Sequence, residues 1–481
     1  MQNFEDVIKE DCFYVDKTPF IEDIEESNKY FFYIRPRRFG KSLTLSMLEN
    51  YYDINKKEDF DTIFGGLYIG ENPTSEHNTY LVIHLNFAEV DSGLDNYKEG
   101  LDTHCRLVFE DFCTRYAALL PKGTKEELKS EQGAIAQLRF LCQKCTEVKQ
   151  KIYLFIDEYD NFTNMILSSE EHLERYKGQT HGEGYLRRFF NTIKGAANTS
   201  LGRIFVTGVS PVTMDDLTSG FNIGTNYSLT PRFNEMTGFT EEEVREMLSY
   251  YAGVLPFNHT VDELIEVMKP WFDNYCFAIN SYGKTTMYNS IMVLNFVDNY
   301  IRNDYHIPNK MVETNIRIDY SKIRMLIRHD KEFAHDASII QELVTKGYTT
   351  GNLVENFPAD RINDPDNFLS LLFYFGLVTI DGEYKGSTKF IIPNEVVRDQ
   401  IYTYLLDTYR ENDLTFEQYD KNKLESRLAY DGDFRPYFDY IADCLKRYSS
   451  QRDKQKGEAY VHGFTLAMTS QCKFYRPISE L

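Results

Sequence analysis

The sequence predicts an α/β fold built on a parallel sheet with helices on both faces. Two observations carry this. Four short apolar runs recur in the first half, YFFYI (Tyr30–Ile34), YLVIHLNF (Tyr80–Phe87), IYLFI (Ile152–Ile156) and RIFVTGV (Arg203–Val209). The stretches between them include helical patterns at Leu43–Tyr52, Asp95–Leu119 and Tyr185–Ala196. Strands buried on both faces read as unbroken apolar runs, and helices between them make the crossovers.

Each run leads to something different. The first opens into RPRRFGKS (residues 35–42). A strand, a loop with a glycine and a following helix form a phosphate cradle, because backbone N–H groups and the helix N-terminus both favour anions. Gly40 lets the backbone approach closely, Lys41 would reach the β- and γ-phosphates, and the Ser42 hydroxyl would bind Mg²⁺. The GxxxxGK[ST] pattern asks for glycine six residues before the lysine, where this chain has Arg35. A basic loop before a helix is the plain alternative for this segment.

The third run ends in IDEYD. Asp157 is the candidate Mg²⁺ ligand and Glu158 the candidate general base for an attacking water. A strand ending in polar residues at a turn is common, but here both motifs follow expected strands in the expected order. The fourth run places Thr207 and Ser210 at a strand tip, as a γ-phosphate sensor or as turn residues. Arg37 and Arg38 lie within the loop and are candidates to neutralise phosphate, with Arg232 a weaker one. Phe39 and Leu43 complete the nucleotide-binding segment. ATP and Mg²⁺ are the expected cofactors.

Composition limits the alternatives. A chain of 481 residues predicts two to four domains, and a net charge of −21 argues against a general nucleic-acid coat. Eight scattered cysteines form no disulfide framework, and Cys142–Cys145 lacks a second ligand pair for zinc. The acidic N-terminus has no signal-peptide pattern, and no run is long enough to span a bilayer, so a cytoplasmic protein is expected. After about residue 235 the pattern turns helical. Thr240 and Glu243 form a capping-box signature, and Leu369–Ile380 with Lys389–Pro393 read as a helix, a strand and a further strand.

YVDKT (Tyr14–Thr18), RPRRFGKSL (Arg35–Leu43), FIDEYD (Phe155–Asp160), GFTEEEV (Gly238–Val244), WFDNYCF (Trp271–Phe277) and YNS (Tyr288–Ser290) together resemble the bacterial AAA-ATPase-like family. The resemblance covers nearly the whole chain. It implies a P-loop NTPase module, with Lys41 and Ser42 as its Walker A pair and Asp157 and Glu158 as its Walker B pair. In the family the first loop glycine is also missing. Members usually have glycine where this chain has Asn274, a residue that tolerates a left-handed turn. For Trp271, Phe272, Tyr275 and Phe277 a packing role is expected.

The family couples this module to a C-terminal PD-(D/E)xK nuclease-superfamily domain. GEAYVHGF (Gly457–Phe464) resembles the helix opening that core, with Glu458 as its first acid, and RPISEL (Arg476–Leu481) resembles its first strand. The later acids of the pattern are not in this sequence, so nuclease inactivity of the chain is expected. Glu458 and His462 share a helix face, for a metal contact or for a salt bridge or cap. The expected organisation is an ATPase module at 1–235, a helical lid or winged-helix-like region at 236–350 and a partial nuclease-like α/β domain at 351–481. The expected function is ATP binding, with hydrolysis, that regulates the C-terminal region. The alternatives are an ATP-regulated nuclease or a non-enzymatic nucleotide-dependent interaction protein. Candidate partners are the nucleotide, nucleic acid through the C-terminal domain and further copies of the chain, without a membrane.

Overall fold

In the computed structural model the described residues are 3–90, 97–161, 184–212, 224–311, 336–411, 418–448, 457–470 and 472. The main sheet has five parallel strands: β1 (Tyr30–Ile34), β2 (Tyr80–Asn86), β3 (Lys151–Asp157), β4 (Leu201–Gly208) and β5 (Thr225–Asn226). Their spatial order is β2-β3-β4-β1-β5. The four apolar runs become β1 to β4, with ends within two residues of those expected. The two-residue β5 has no apolar run to announce it.

Alternate side chains go to opposite faces of a strand, and each face here has its own core. Phe31, Tyr33, Val82, Tyr153, Phe155 and Phe205 pack with α1 (Phe4–Lys9), α2 (Phe20–Glu26) and α3 (Lys41–Tyr52). On the other side Phe32, Ile34, Ile83, Leu154, Ile156 and Val206 pack with helices Tyr97–Arg115, Ala134–Glu147 and Tyr185–Ala196. Cys142 and Cys145 are buried in that second layer, and both are free thiols. Burial pushes the Cys142 thiol up to about 11 and the Cys145 thiol higher still. Such thiols are packing groups and poor nucleophiles.

Helices Glu241–Val254, Val261–Phe272 and Ser290–Arg302 follow the sheet and share a separate core around Leu248, Met268, Phe272 and Phe296. The first starts with the expected capping box: Glu243 N donates to Thr240 Oγ1, and Thr240 N donates to Glu243 Oε2. The same Glu243 carboxylate takes a 2.6 Å ion pair from the buried Lys17. Thus YVDKT and GFTEEEV are two halves of one contact.

A second sheet, antiparallel and ordered β6-β8-β7, contains β6 (Thr349–Gly351), β7 (Thr379–Tyr384) and β8 (Ser387–Ile391). Helices Asp336–Lys346 and Pro365–Tyr374 precede β6 and β7 in the chain. β6 pairs with β8 through Thr349↔Phe390. The division expected between residues 350 and 351 therefore falls inside a strand. Nothing in the local sequence of this short strand reveals a partner some forty residues away. Helices Glu395–Glu411, Gln418–Asp431, Arg435–Tyr448 and Gly457–Ser470 follow this sheet in the chain. The strand expected at Arg476–Leu481 lies outside the described residues, as does the side chain of Glu458. No helix among the described residues is long and apolar enough to cross a membrane.

Gly208, at the C-terminal end of β4, is fixed by space. A Cβ there would lie 2.3 Å from Asp160 Oδ1 and 2.6 Å from the Tyr159 ring. Gly208→Ala is expected to destabilise the protein by about 1–3 kcal/mol through overpacking, read as a lower midpoint in urea unfolding.

Candidate nucleotide site

The C-terminal ends of parallel strands are where such folds leave a crevice. Here β1, β3 and β4 bring three chain segments together. Ile34 pairs with Gly208, and Ile156 with Val206. α3 begins at Lys41, two residues before its expected start. Its N-cap is Gly40 at φ +91°, a left-handed conformation that a residue with a Cβ rarely adopts. No side chain caps this helix, so its N-terminal N–H groups face the loop without a built-in acceptor.

Lys41 is buried and bends back over the loop. Its Nζ donates to the carbonyls of Arg35 at 3.0 Å and Pro36 at 3.1 Å. Burial lowers its pKa, while the carboxylates of Glu158, Asp157 and Asp160 oppose that shift. Ser42 Oγ donates to Asp157 Oδ2 at 3.0 Å. Asp157 is 3% exposed. Burial raises its pKa and the Glu158 charge adds to this, whereas Lys41, the Ser42 hydroxyl and His84 pull the other way. Glu158 follows at φ +50°, with its N–H donating to Asp157 Oδ1 at 2.8 Å. A non-glycine residue held left-handed at this position is local strain kept by its surroundings.

Some expected site residues have other partners. The Thr207 hydroxyl donates to Tyr33 O at 2.6 Å and is buried within the sheet. Ser210 N donates to the buried carboxylate of Asp160, and Tyr159 OH donates to Ser210 O. Phe39 points into the core, edge-on to Tyr275 at 4.9 Å and Phe277 at 5.2 Å. Arg37 and Arg38 remain half-buried in the loop, with Arg38 at φ +71°. Leu43 is partly buried on the helix. Arg232 makes surface ion pairs with Asp23 and Glu26.

Arg35, read in the sequence only as a missing glycine, has a definite task. The residue is 1% exposed, and its guanidinium donates to the carbonyls of Ile34, Ser228 and Phe233. It also lies 4.3 Å over the rings of both Tyr33 and Phe277. The WFDNYCF and YNS segments complete the loop's support. Asn274 is left-handed at φ +80°. Asn289 Nδ2 donates to Arg37 O and Ser290 Oγ to Arg38 O. His84 has no sequence signal beyond its strand. It pairs through Nδ1 with Glu49 Oε1 of α3 at 2.6 Å, and Asn86, two residues on, is the strand partner of Asp157. Burial works to lower the His84 pKa, but the Glu49 hydrogen bond and charge outweigh it and raise it.

A hydroxyl and a carboxylate oxygen side by side suit a hard divalent cation, and the helix N-terminus beside them suits the phosphates such a cation would accompany. A carboxyl whose folded pKa is raised costs stability where it is ionised, and that cost disappears as pH falls through the folded value. Asp157→Asn is therefore expected to raise the melting temperature of the ligand-free protein. The gain should grow between acidic and neutral pH, as checked by thermal scans across that window. No gain at neutral pH would reject the destabilising role of the ionised carboxylate.

A curated protein of Azotobacter chroococcum mcd 1, described as an uncharacterized protein in the vnfD 5′ region, is 26% identical over 266 residues. That match covers 55% of this chain and 45% of the relative, less than half of the relative's length. Cdc6p from Pyrobaculum aerophilum aligns structurally with a TM-score of 0.32 and 13% identity, over 80% of this chain and 92% of that one. The ORC2 protein of Aeropyrum pernix, solved as ADPNP–ADP complexes, gives 0.35 and 12%, over 81% and 93%. Residues 1–218 match the AAA-ATPase-like family model, described as predicted AAA-ATPase.

Proposed function

We propose that this domain binds ATP with Mg²⁺ at the 35–42 loop and hydrolyses it, and that the nucleotide state regulates the C-terminal half. The observation that carries the proposal is the 3.0 Å contact between Ser42 Oγ and Asp157 Oδ2, two expected metal-binding oxygens 115 residues apart in the chain. Lys41 lies at the same spot, within the influence of both acids.

In this reading the N-terminal N–H groups of α3 and the Lys41 ammonium bind the phosphates. Ser42 and Asp157 would hold Mg²⁺, which when bound neutralises phosphate charge. Glu158 orients a water and accepts its proton. Its left-handed backbone turns the residue out of the strand path, just past the buried Asp157. Arg37 and Arg38, on the rim of the loop, add positive charge. Thr207 serves as a strut between β4 and β1, given the acceptor its hydroxyl already uses. The nuclease-like reading of the C-terminal helices rests on the sequence resemblance.

Lys41→Ala is expected to abolish ATP binding, seen as loss of the thermal stabilisation that ATP and Mg²⁺ give the parent protein. Equal stabilisation of both proteins would sink the assignment. Glu158→Gln is expected to retain binding and to slow phosphate release by about 10²- to 10⁴-fold. An unchanged rate would reject Glu158 as the base.

A further inference from the structure

The IDEYD segment ends in an acid that the chemistry above does not use. Asp160 is fully buried, and both of its carboxylate oxygens accept from backbone N–H groups just past the end of β4. Val209 N donates to Oδ1 at 3.1 Å and Ser210 N to Oδ2 at 2.8 Å. Tyr159 adds two ties to the same stretch. Its N–H donates to Thr207 O at 3.2 Å, and its hydroxyl donates to Ser210 O. Gly208 leaves the room for this clasp, since a Cβ there would collide with Asp160 Oδ1.

That stretch also holds the phosphate loop. Arg35 N donates to Gly208 O at 3.3 Å, and Thr207 Oγ1 donates to Tyr33 O at 2.6 Å. Residues 207–210 are therefore a common mount. One side fixes the loop that leads to Lys41, and the other fixes the turn that follows Asp157. Glu158 is the crown of that turn, at φ +50°. Its N–H donates to Asp157 Oδ1, and its carbonyl accepts from Asn161 N at 2.8 Å. Asn161 Nδ2 in turn reaches Phe87 O, beyond the end of β2, at 3.3 Å. Of the charges that act on Lys41, the Glu158 carboxylate weighs most, so it stands on the side of the phosphate loop. A left-handed backbone without glycine persists only where its surroundings hold it. Untied, Glu158 would relax to negative φ and swing its Cα–Cβ bond away from this place.

We propose that Asp160 is a positioning residue for hydrolysis, with the Tyr159 hydroxyl as a second tie. Its bonds to Val209 and Ser210 fasten the 158–161 turn to the mount of the phosphate loop, and so set where the Glu158 carboxylate stands. In this role Asp160 touches neither nucleotide nor water and acts only through Glu158. The task calls for a carboxylate. Asparagine has one acceptor oxygen and its amide nitrogen is a donor, so one of the two buried N–H groups would face another donor. The inference rests on the reading of Glu158 as the base and adds what holds that base in register with the phosphates.

The test is a double-mutant cycle on the full chain: the parent, Asp160→Asn, Glu158→Gln and the double variant. Phosphate release from ATP with Mg²⁺ gives kcat and KM, calorimetry gives ATP affinity, and thermal scans show that each variant is folded. Asp160→Asn is expected to lower kcat about 10- to 100-fold, the scale on which a misplaced group loses rate, with ATP affinity kept. The double variant is expected to release phosphate no more slowly than Glu158→Gln alone, because residues that act as one unit are not additive. If Asp160→Asn does not fold, Tyr159→Phe takes its place in the cycle, with the same lower kcat, kept affinity and absent second loss required of it. A parental kcat, a loss of affinity that accounts for the slower turnover, or a further slowing in the double variant overturns the positioning role and leaves nucleotide binding standing. A parent chain that releases no phosphate, or Glu158→Gln working at the parent's rate, overturns the reading of Glu158 and this inference with it.

Discussion

The burial of the Arg35 guanidinium is the constraint on which the rest of the site depends. A guanidinium stays charged at any relevant pH, so it cannot escape a low-dielectric setting by losing a proton. Leaving it unpaired there would cost several kcal/mol. The fold answers with three backbone carbonyls and two aromatic faces, while Nε stays without a hydrogen bond. These partners come from the end of β1, from residues 228–233 and from Phe277. All three segments must be in place for the charge to be tolerated, so one side chain dictates the path by which the chain enters the phosphate loop.

What was readable in the sequence follows from this. β1 to β4 were legible because a strand covered on both faces must be a continuous apolar run. The candidate site was legible because Gly40, Lys41, Ser42, Asp157 and Glu158 lie in local patterns whose spacing carries the chemistry. The Thr240–Glu243 box was legible for the same reason. The partners of Arg35 were not. Ser228 is 193 residues away and has no motif of its own, and Asn289 reaches Arg37 across 252 residues. YNS and WFDNYCF could be recognised as strings, but their job of gripping the loop exists only in the packing. Thr207 shows the same limit: a polar residue at a strand tip is visible in the sequence, but its hydroxyl bond to Tyr33 O is not.

The site also concentrates local cost. Arg38, Glu158 and Asn274 are all left-handed without being glycine, and all three flank or support the loop. Asp157 and Lys41 are both buried, with pKa values shifted toward their neutral forms chiefly by desolvation. A protein selected for stability alone would relax several of these, as functional sites characteristically do not. Two cores over the main sheet, dense in stacked and edge-on aromatic rings such as Tyr153–Phe155 and Phe31–Phe205, supply the rigidity that holds such residues in place.

A glycine at position 35 would leave the loop free to adjust around a ligand on its own. Arginine removes that freedom and passes the adjustment on to neighbours. Pro36 is confined by its ring and by the seat of Gly376, and Phe39 is wedged between Tyr275 and Phe277. Packed interiors deform little, and they change by switching between discrete arrangements. A phosphate loop anchored at Tyr33, Ile34 and Gly208 as well as at residues 228–290 and the turn at 376 does not move alone, so a change in its backbone path is shared with the sheet end and with the packing around Phe277.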